Sequence, residues 1–194
     1  MVVCSGNTCR SPMAMALLAH HLESRGMDAR VHSAGTLGWG GPATGHAVET
    51  LAARGIDLSE HESRRMSSTD VGDADLVLGM TRDHVVGTLN HDPEARDRTF
   101  VIGELARLGR AHGARRHGQS VREWCAEVAA IRTAGRPAGR SVDEIADPVG
   151  EGLDVYAATA DRLDALCAEI AALLLPRGAH GEVVDIESVD ALDG

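Results

Sequence analysis

The run Cys4-Ser5-Gly6-Asn7-Thr8-Cys9-Arg10-Ser11 places a thiol six positions before a guanidinium, with a glycine and an asparagine between them. Gly6 and Asn7 tolerate positive φ, so the chain here can curl and aim successive backbone N–H groups at one point. Ser11 suits a helix N-cap and Pro12 the first helical position, which adds the positive end of a helix to those amides. Together they make an anion site about the size of a phosphate. Arg10 brings a planar fork that binds two phosphate oxygens at once. The same positive field is expected to lower the pKa of Cys4, whose thiolate is then a nucleophile. Cleaving a phosphate ester through cysteine also needs an acid for the leaving group, and that acid must come from elsewhere in the chain. Two Asp-Pro pairs, Asp92-Pro93 and Asp147-Pro148, compete for the part, and each is equally at home as a turn.

The elements around this run read as alternating strands and helices. Val2 and Val3 give a short strand into Cys4, and three residues are few for a central strand, which leaves open a native start upstream of Met1. A first helix is expected over 12–25, with Ala14, Leu18 and Leu22 on one face and Gly26 as C-cap. A second strand is expected over 29–32, and residues 35–45, with Trp39 and Pro42 among glycines, form a loop. Helices are expected over 44–54 and from Thr81, as cap, to about Leu89. Strands are expected over 74–80, a continuous apolar run suited to a sheet buried on both faces, and over 99–102. The last helix, about 153–175, carries Tyr156, Thr159, Leu163, Leu166, Ile170 and Leu173 at helical spacing, and Pro176 ends it. Such alternation implies right-handed βαβ units, with ligands bound at the carboxyl edge of the sheet.

At 194 residues this is one domain, with 43% hydrophobic and 25% charged residues, as in a soluble globular protein. No apolar run reaches membrane-spanning length and the N-terminus lacks a signal-peptide pattern. A net charge of −10 argues against general nucleic-acid binding, so attraction for an anion has to be local to the loop. The four cysteines, Cys4, Cys9, Cys125 and Cys167, have no zinc spacing and are too few for a disulfide scaffold. A reducing cytoplasm is the expected location, with no metal, no cofactor and no membrane partner; oligomeric state is left open.

The loop resembles the signature of the low-molecular-weight protein-tyrosine-phosphatase family. Ser33-Ala34-Gly35-Thr36, Gly55-Ile56-Asp57-Leu58-Ser59, His61, Ser63-Arg64, Ala74 to Leu78, Met80-Thr81, His84, and Asp147-Pro148 followed by Tyr156 extend the resemblance along the chain. It covers roughly residues 1–102 and 145–175. The resemblance implies a four-stranded parallel sheet in order 2-1-3-4 with helices on both faces, forming one phosphatase domain over 1–175. It implies Cys4 as nucleophile, Arg10 with Ser5, Gly6, Asn7, Thr8, Cys9 and Ser11 as phosphate-binding, and Ser11 as hydrogen-bond partner of the thiolate. Asn7 would hold the loop in its strained shape. Of the two Asp-Pro pairs, only Asp147-Pro148 precedes the final helix with Tyr156 in range, as the family pattern requires. That makes Asp147 the general acid, then base, for a cysteinyl-phosphate intermediate. Trp39 either lines the mouth of the site, as a residue of that loop does in the family, or covers the core edge. Cys9 either forms a reversible disulfide with Cys4 or simply packs.

Residues 103–145 depart from the family pattern. They are rich in arginine, with a helix expected over 120–133, and read as a solvated surface insertion with one docked helix rather than as a substrate arm. Residues 176–194 read as an acidic, disordered tail. The expected substrate is a phosphorylated protein, with phosphoarginine and phosphotyrosine as rivals. Thr8 stands where tyrosine phosphatases of the family carry a bulky Ile or Leu, Val149-Gly150 follow the acid where they carry aromatics, and aromatics are 2% of the chain. These favour the family's arginine-phosphatase branch, with Thr8 and Trp39 as specificity residues. A catalytically weak phosphate-binding or redox-sensing protein is the alternative. Arsenate reductase is disfavoured, because no cysteine lies between Cys9 and Cys125 to relay oxidation.

Overall fold

The computed structural model describes residues 1–132 and 138–176. Strands β1 (Val2–Cys4), β2 (Ser33–Gly35), β3 (Val77–Gly79) and β4 (Thr99–Val101) form one parallel sheet in the order β2-β1-β3-β4. Between and after them lie α1 (Arg10–Glu23), α2 (Gly45–Ala52), α3 (Ser68–Asp73), α4 (Arg82–Leu89), α5 (Ile102–His112), α6 (Val121–Ala130) and α7 (Leu153–Leu174). Successive strand residues point to opposite faces. Val2, Cys4, Leu78 and Phe100 meet α1, α5, α6 and α7 in the main core, while Val3, Ala34 and Val77 meet Val71, Ala95 and Leu89 on the other face. The chain turns left from β1 to β2 and right from β3 to β4, so α1 and α4 cover opposite faces and leave a crevice between β1 and β3. Open α/β sheets bind ligands at that switch point.

Two sequence expectations shift in register. The second strand lies at Ser33–Gly35 rather than 29–32, because parallel pairing puts it opposite β1, with Val2 against Ser33 and Cys4 against Gly35. The first helix begins at Arg10, with Cys9 in the N-cap position, so Ser11 is inside the first turn rather than its cap. Its hydroxyl is used elsewhere. The seam of α7 also differs from the large-residue pattern. Tyr156, Ala160, Leu163, Cys167, Ile170, Ala171 and Leu174 are buried, whereas Thr159, Leu166 and Leu173 lie at the margin. Small residues on that seam let α7 approach α1 closely, and Cys167 Sγ lies 3.6 Å from the carbonyl of Ala14.

The arginine-rich segment is more deeply built in than a solvated insertion. It holds two helices, α5 and α6, and Leu105, Trp124 and Val128 are wholly buried in the main core. Five of its arginines are engaged by carboxylates: Arg107 by Asp143, Arg110 by Glu169, Arg116 by Glu127, Arg122 by Asp75 and Arg132 by Glu104. Arg132 also lies over the Phe100 ring, 4.2 Å from its centroid. Ser120 caps α6 by accepting from the N–H of Glu123. Residues 133–137 and the acidic tail beyond Pro176 lie outside the described residues. Among the described residues no helix is long and apolar enough to cross a membrane.

Candidate active site

Cys4 ends β1, Arg10 begins α1, and the residues between them close a loop at the carboxyl edge of the sheet. Asn7 shapes it. Among non-glycine residues it alone has positive φ among those described, 58°, and it is fully buried. Every polar atom it carries has a partner. Its amide nitrogen Nδ2 donates to Ser11 Oγ at 2.9 Å and to Ser33 Oγ at 2.8 Å, and its Oδ1 accepts from the N–H of Arg64 at 3.0 Å. Its backbone N–H points at Cys4 Sγ, 3.3 Å away, and its carbonyl accepts from His61 Nε2 at 2.7 Å. Ser63 Oγ donates to the carbonyl of Gly6 at 2.6 Å. These bonds hold an αL asparagine that would otherwise cost about 1–2 kcal/mol.

Ser11 Oγ lies 2.9 Å from Cys4 Sγ. Because that oxygen already accepts from Asn7 Nδ2, its own hydrogen is free to point at the sulfur. Two donors, the Ser11 hydroxyl and the Asn7 N–H, thus converge on Sγ, which is the arrangement a thiolate uses. Forgoing the cap leaves the Ser11 hydroxyl to Cys4 Sγ instead.

His84, at the start of α4, braces the loop from across the crevice. Its Nδ1 accepts from the N–H of Thr81 at 3.0 Å, which puts the ring proton on Nε2, and Nε2 donates to Ser5 Oγ at 2.9 Å. Burial, and secondarily the charge of Arg10, push the ring pKa down to about 4, so it is neutral at physiological pH. The motif places His84 by sequence, but this bond to Ser5 depends on the sheet order that sets β3 beside β1, and no local pattern carries it.

Arg10 is 5% exposed. Its Nη1 donates to the carbonyl of Ile145 at 3.2 Å and its Nη2 to Asp147 Oδ2 at 2.5 Å, while its Nε is buried without a partner among the described residues. A buried guanidinium with an unused donor beside a ring of amides is poised for an anion. Asp147 is brought to the site as expected. Its side chain is 47% exposed, and its Oδ1 accepts from the N–H of Val149 at 3.3 Å. Asp92 is not brought there. It caps the turn at Pro93–Arg98, which leads into the opposite, amino end of β4, and it pairs with Arg98 at 2.9 Å.

Thr8 is half-buried, and its carbonyl accepts from the N–H of Thr44, the N-cap residue of α2, at 2.8 Å. Gly6 is needed for close approach rather than for its φ: a Cβ there would lie 2.3 Å from Cε3 of Trp39. The Trp39 indole therefore lies on the loop itself, with 63% of the residue exposed. It stands at the mouth and not at the core edge. The other aromatic residues, Phe100, Trp124 and Tyr156, are buried, and Tyr156 sits edge-on to His46 with ring centroids 5.2 Å apart. Cys9 is buried beside Tyr156, burial pushes its thiol up to about 12, and all four cysteines are free thiols. Low reactivity of that kind fits a packing residue.

Comparison with known proteins agrees with this geometry. A family model described as low molecular weight phosphotyrosine protein phosphatase matches residues 1–114. A protein-arginine-phosphatase of Bacillus subtilis (strain 168) is 32% identical over 170 residues, covering 87% of this chain and 91% of its own. A probable low molecular weight protein-tyrosine-phosphatase, EpsP, of Ralstonia nicotianae is 40% identical over 106 residues, covering 54% of this chain and 70% of its own. A solved structure of YwlE arginine phosphatase, a mutant with a phosphorylated active-site serine, superposes with a TM-score of 0.67 at 31% identity, covering 88% of this chain and 91% of that one. With a family model over more than half its length and a relative matched nearly end to end, the chain belongs to the low molecular weight phosphotyrosine protein phosphatase family and is a phosphatase.

Proposed function

We propose that the protein hydrolyses phosphoarginine on proteins, with Cys4 as nucleophile, Arg10 and the amides of residues 5–10 as the phosphate cradle, and Asp147 as general acid and then base. The carrying observation is the meeting of Cys4, Arg10 and Asp147 at one edge of the sheet, with a buried donor of Arg10 unused. The thiolate attacks phosphorus, the cradle stabilises the charge on the equatorial oxygens, and the P–N bond breaks as Asp147 protonates the departing guanidine nitrogen. Water then attacks the cysteinyl-phosphate, giving up its proton to the Asp147 carboxylate, and the P–S bond breaks to release phosphate and return the Cys4 thiolate. Phosphotyrosine would follow the same steps with a phenol as leaving group.

Two features favour the guanidine. Trp39 is the one exposed residue among Phe, Trp and Tyr, so a phenyl ring finds a single wall to stack on. Thr8 presents a hydroxyl that makes no hydrogen bond among the described residues, and a planar N–H donor suits it. Paired kcat/KM values on matched phosphoarginine and phosphotyrosine peptides test the reading, with Cys4→Ser as the inactive control. A higher value for phosphoarginine is expected; a protein that cleaves only phosphotyrosine overturns it.

A further inference from the structure

We propose that Arg107, on α5, is a positioning residue that sets the reach of Asp147 by gripping Asp143, an inference that rests on the reading of Asp147 as general acid. The pair is bidentate: Nε of Arg107 donates to Asp143 Oδ1 at 3.2 Å and Nη2 to Oδ2 at 2.8 Å. The backbone N–H of Arg140 donates to the same Oδ2 at 2.8 Å, and the Asp143 side chain is 5% exposed. The helix backbone abuts it as well. A Cβ on Gly103 would stand 2.5 Å from the Asp143 carbonyl oxygen and 2.7 Å from its Cα, so only glycine lets α5 come this near.

From Asp143 the chain runs through a short series of anchors and then lets go. Glu144 accepts from both the backbone N–H and the Nε of Arg82, at 3.0 and 2.8 Å. Ile145 donates its N–H to Met80 at 2.8 Å and accepts from Arg10 at 3.2 Å. Ala146, Asp147 and Val149 are exposed, and among the described residues the Asp147 carboxylate meets only Arg10 and the N–H of Val149. The position of the carboxyl is therefore inherited from the anchored residues before it. Arg82 and Arg10 belong to the crevice itself, whereas Gly103 and Arg107 reach it from α5, no residue of which hydrogen-bonds a phosphate-binding residue among those described. General-acid catalysis demands hydrogen-bond reach to the leaving atom, so a slackened loop loses proton transfer and leaves phosphate binding alone.

The experiment compares kcat/KM, which is set before the shared hydrolysis of the cysteinyl-phosphate, on phenyl phosphate, a poor leaving group, and on dinitrophenyl phosphate, which needs no proton. Arg107→Ala is expected to lower kcat/KM on phenyl phosphate about tenfold and on dinitrophenyl phosphate less than about twofold. Arg107→Lys restores part of the loss. Gly103→Ala, which keeps the ion pair but pushes on Asp143, gives the same pattern and serves if Arg107→Ala folds poorly. In an Asp147→Asn background, Arg107→Ala adds nothing. Equal loss on both substrates, or an undiminished effect in the Asp147→Asn background, overturns the assignment of Arg107. If Asp147→Asn is selective for the poor leaving group while Arg107→Ala and Gly103→Ala are silent, the positioning role alone fails. If Asp147→Asn itself shows no selectivity, the general-acid reading fails and takes the positioning role with it.

Discussion

Asn7 and Asp147 sit at the centres of the two loops that meet on Arg10. Asn7 is fully buried and has a partner for each polar atom, while the Asp147 side chain is 47% exposed and touches one guanidinium and one backbone N–H. The phosphate loop is held by bonds to its own residues and to the neighbouring Ser33, His61, Ser63 and Arg64. The acid loop is held at its root, by Arg107, Arg82 and Met80, and its tip is loose. The difference suits the chemistry proposed for each. A cradle for a tetrahedral anion works by preorganisation and must not relax around empty space. An acid has to approach a leaving group whose position varies with substrate, and some freedom at the tip serves that.

The largest effect in this comparison should come from its most tightly bound member. Asn7→Ala puts a Cβ residue with no side-chain hydrogen bonds at φ 58° and leaves Ser33, Ser11 and the N–H of Arg64 short of a partner. Strain of about 1–2 kcal/mol and buried groups at about 1–3 kcal/mol each point to a loss of roughly 4 kcal/mol, measured as ΔG of urea unfolding with an unchanged m-value. A change under about 1 kcal/mol would mean that the loop relaxes freely, and the contrast with the acid loop would collapse.

The brace across the crevice gives a pH signature. The ring of His84 has its folded pKa lowered to about 4 by burial, then by Arg10, against the opposing pull of Asp83, Asp147 and Glu144. The unfolded ring titrates near 6.5. The unfolded chain therefore binds more protons between those values. The stabilisation is complete above about pH 6.5, and it is lost as pH falls toward about 4. Its size is about 3 kcal/mol, from the linkage between a pKa difference and free energy. His32 shifts in the same direction and carboxylates add their own slopes, so the readout is a difference. In His84→Gln the fall in stability between pH 7 and pH 4 should be visibly shallower than in the wild type, and parallel curves would show that the ring does not titrate as described.

The loose loop should answer differently. Asp147→Asn is expected to slow turnover of a poor leaving group by roughly a hundredfold, with far less effect on an activated aryl phosphate. Its melting temperature should stay within a degree or two of the wild type, since a half-exposed ion pair is worth little. Asp92→Ala inverts the pattern: it removes a turn cap and the carboxylate partner of Arg98, so stability falls by about 1 kcal/mol and turnover holds. Exchange of these two outcomes would move the acid to Asp92.

What could be read from the residues follows the same divide. Cys4, Asn7, Arg10 and Ser11 are legible because one short loop must supply a nucleophile, an αL position and a guanidinium, and few residue types do each. The sheet order is likewise carried by motifs spread along the chain. Cap assignment failed at Ser11 because a hydroxyl that would bond the helix amides bonds the sulfur instead. The second strand was misplaced because its pairing partner, not its own composition, chooses the residues. α5 was missed for a similar reason. Its apolar face, Ile102, Leu105 and Ala106, begins inside the expected strand and is interrupted by charges that prove to be paired, Glu104 with Arg132 and Arg107 with Asp143. Such pairs join residues 28 and 36 positions apart, and no local window contains both members.

A smaller effect on catalysis is predicted at Thr8, which on the proposed reading faces the group to which the phosphate is attached. The position is half-buried, its backbone is fixed by the N–H of Thr44, and its hydroxyl makes no hydrogen bond among the described residues. A β-branched hydroxyl leaves room beside a flat guanidinium and offers it an acceptor. Isoleucine removes the acceptor and adds apolar bulk that suits a ring face. On the far side of the mouth the exposed indole of Trp39 would be the single wall for a phenyl ring, and its flat face would take a guanidinium as well, so its preference for the guanidine is a weak one. Discrimination therefore falls to Thr8. A site that hydrogen-bonds a substrate N–H loses more when its acceptor goes than an apolar site gains from one methyl group. Thr8→Ile should lower kcat/KM on a phosphoarginine peptide and shift its ratio to phosphotyrosine by at least about tenfold, or about 1.4 kcal/mol of differential transition-state binding. The backbone bond to Thr44 survives the substitution, so stability should hold and the ratio reports the side chain alone. A ratio that does not move would leave Trp39 and the exposed Val149 to choose the leaving group, and would make the mouth of the site, rather than its floor, the seat of specificity.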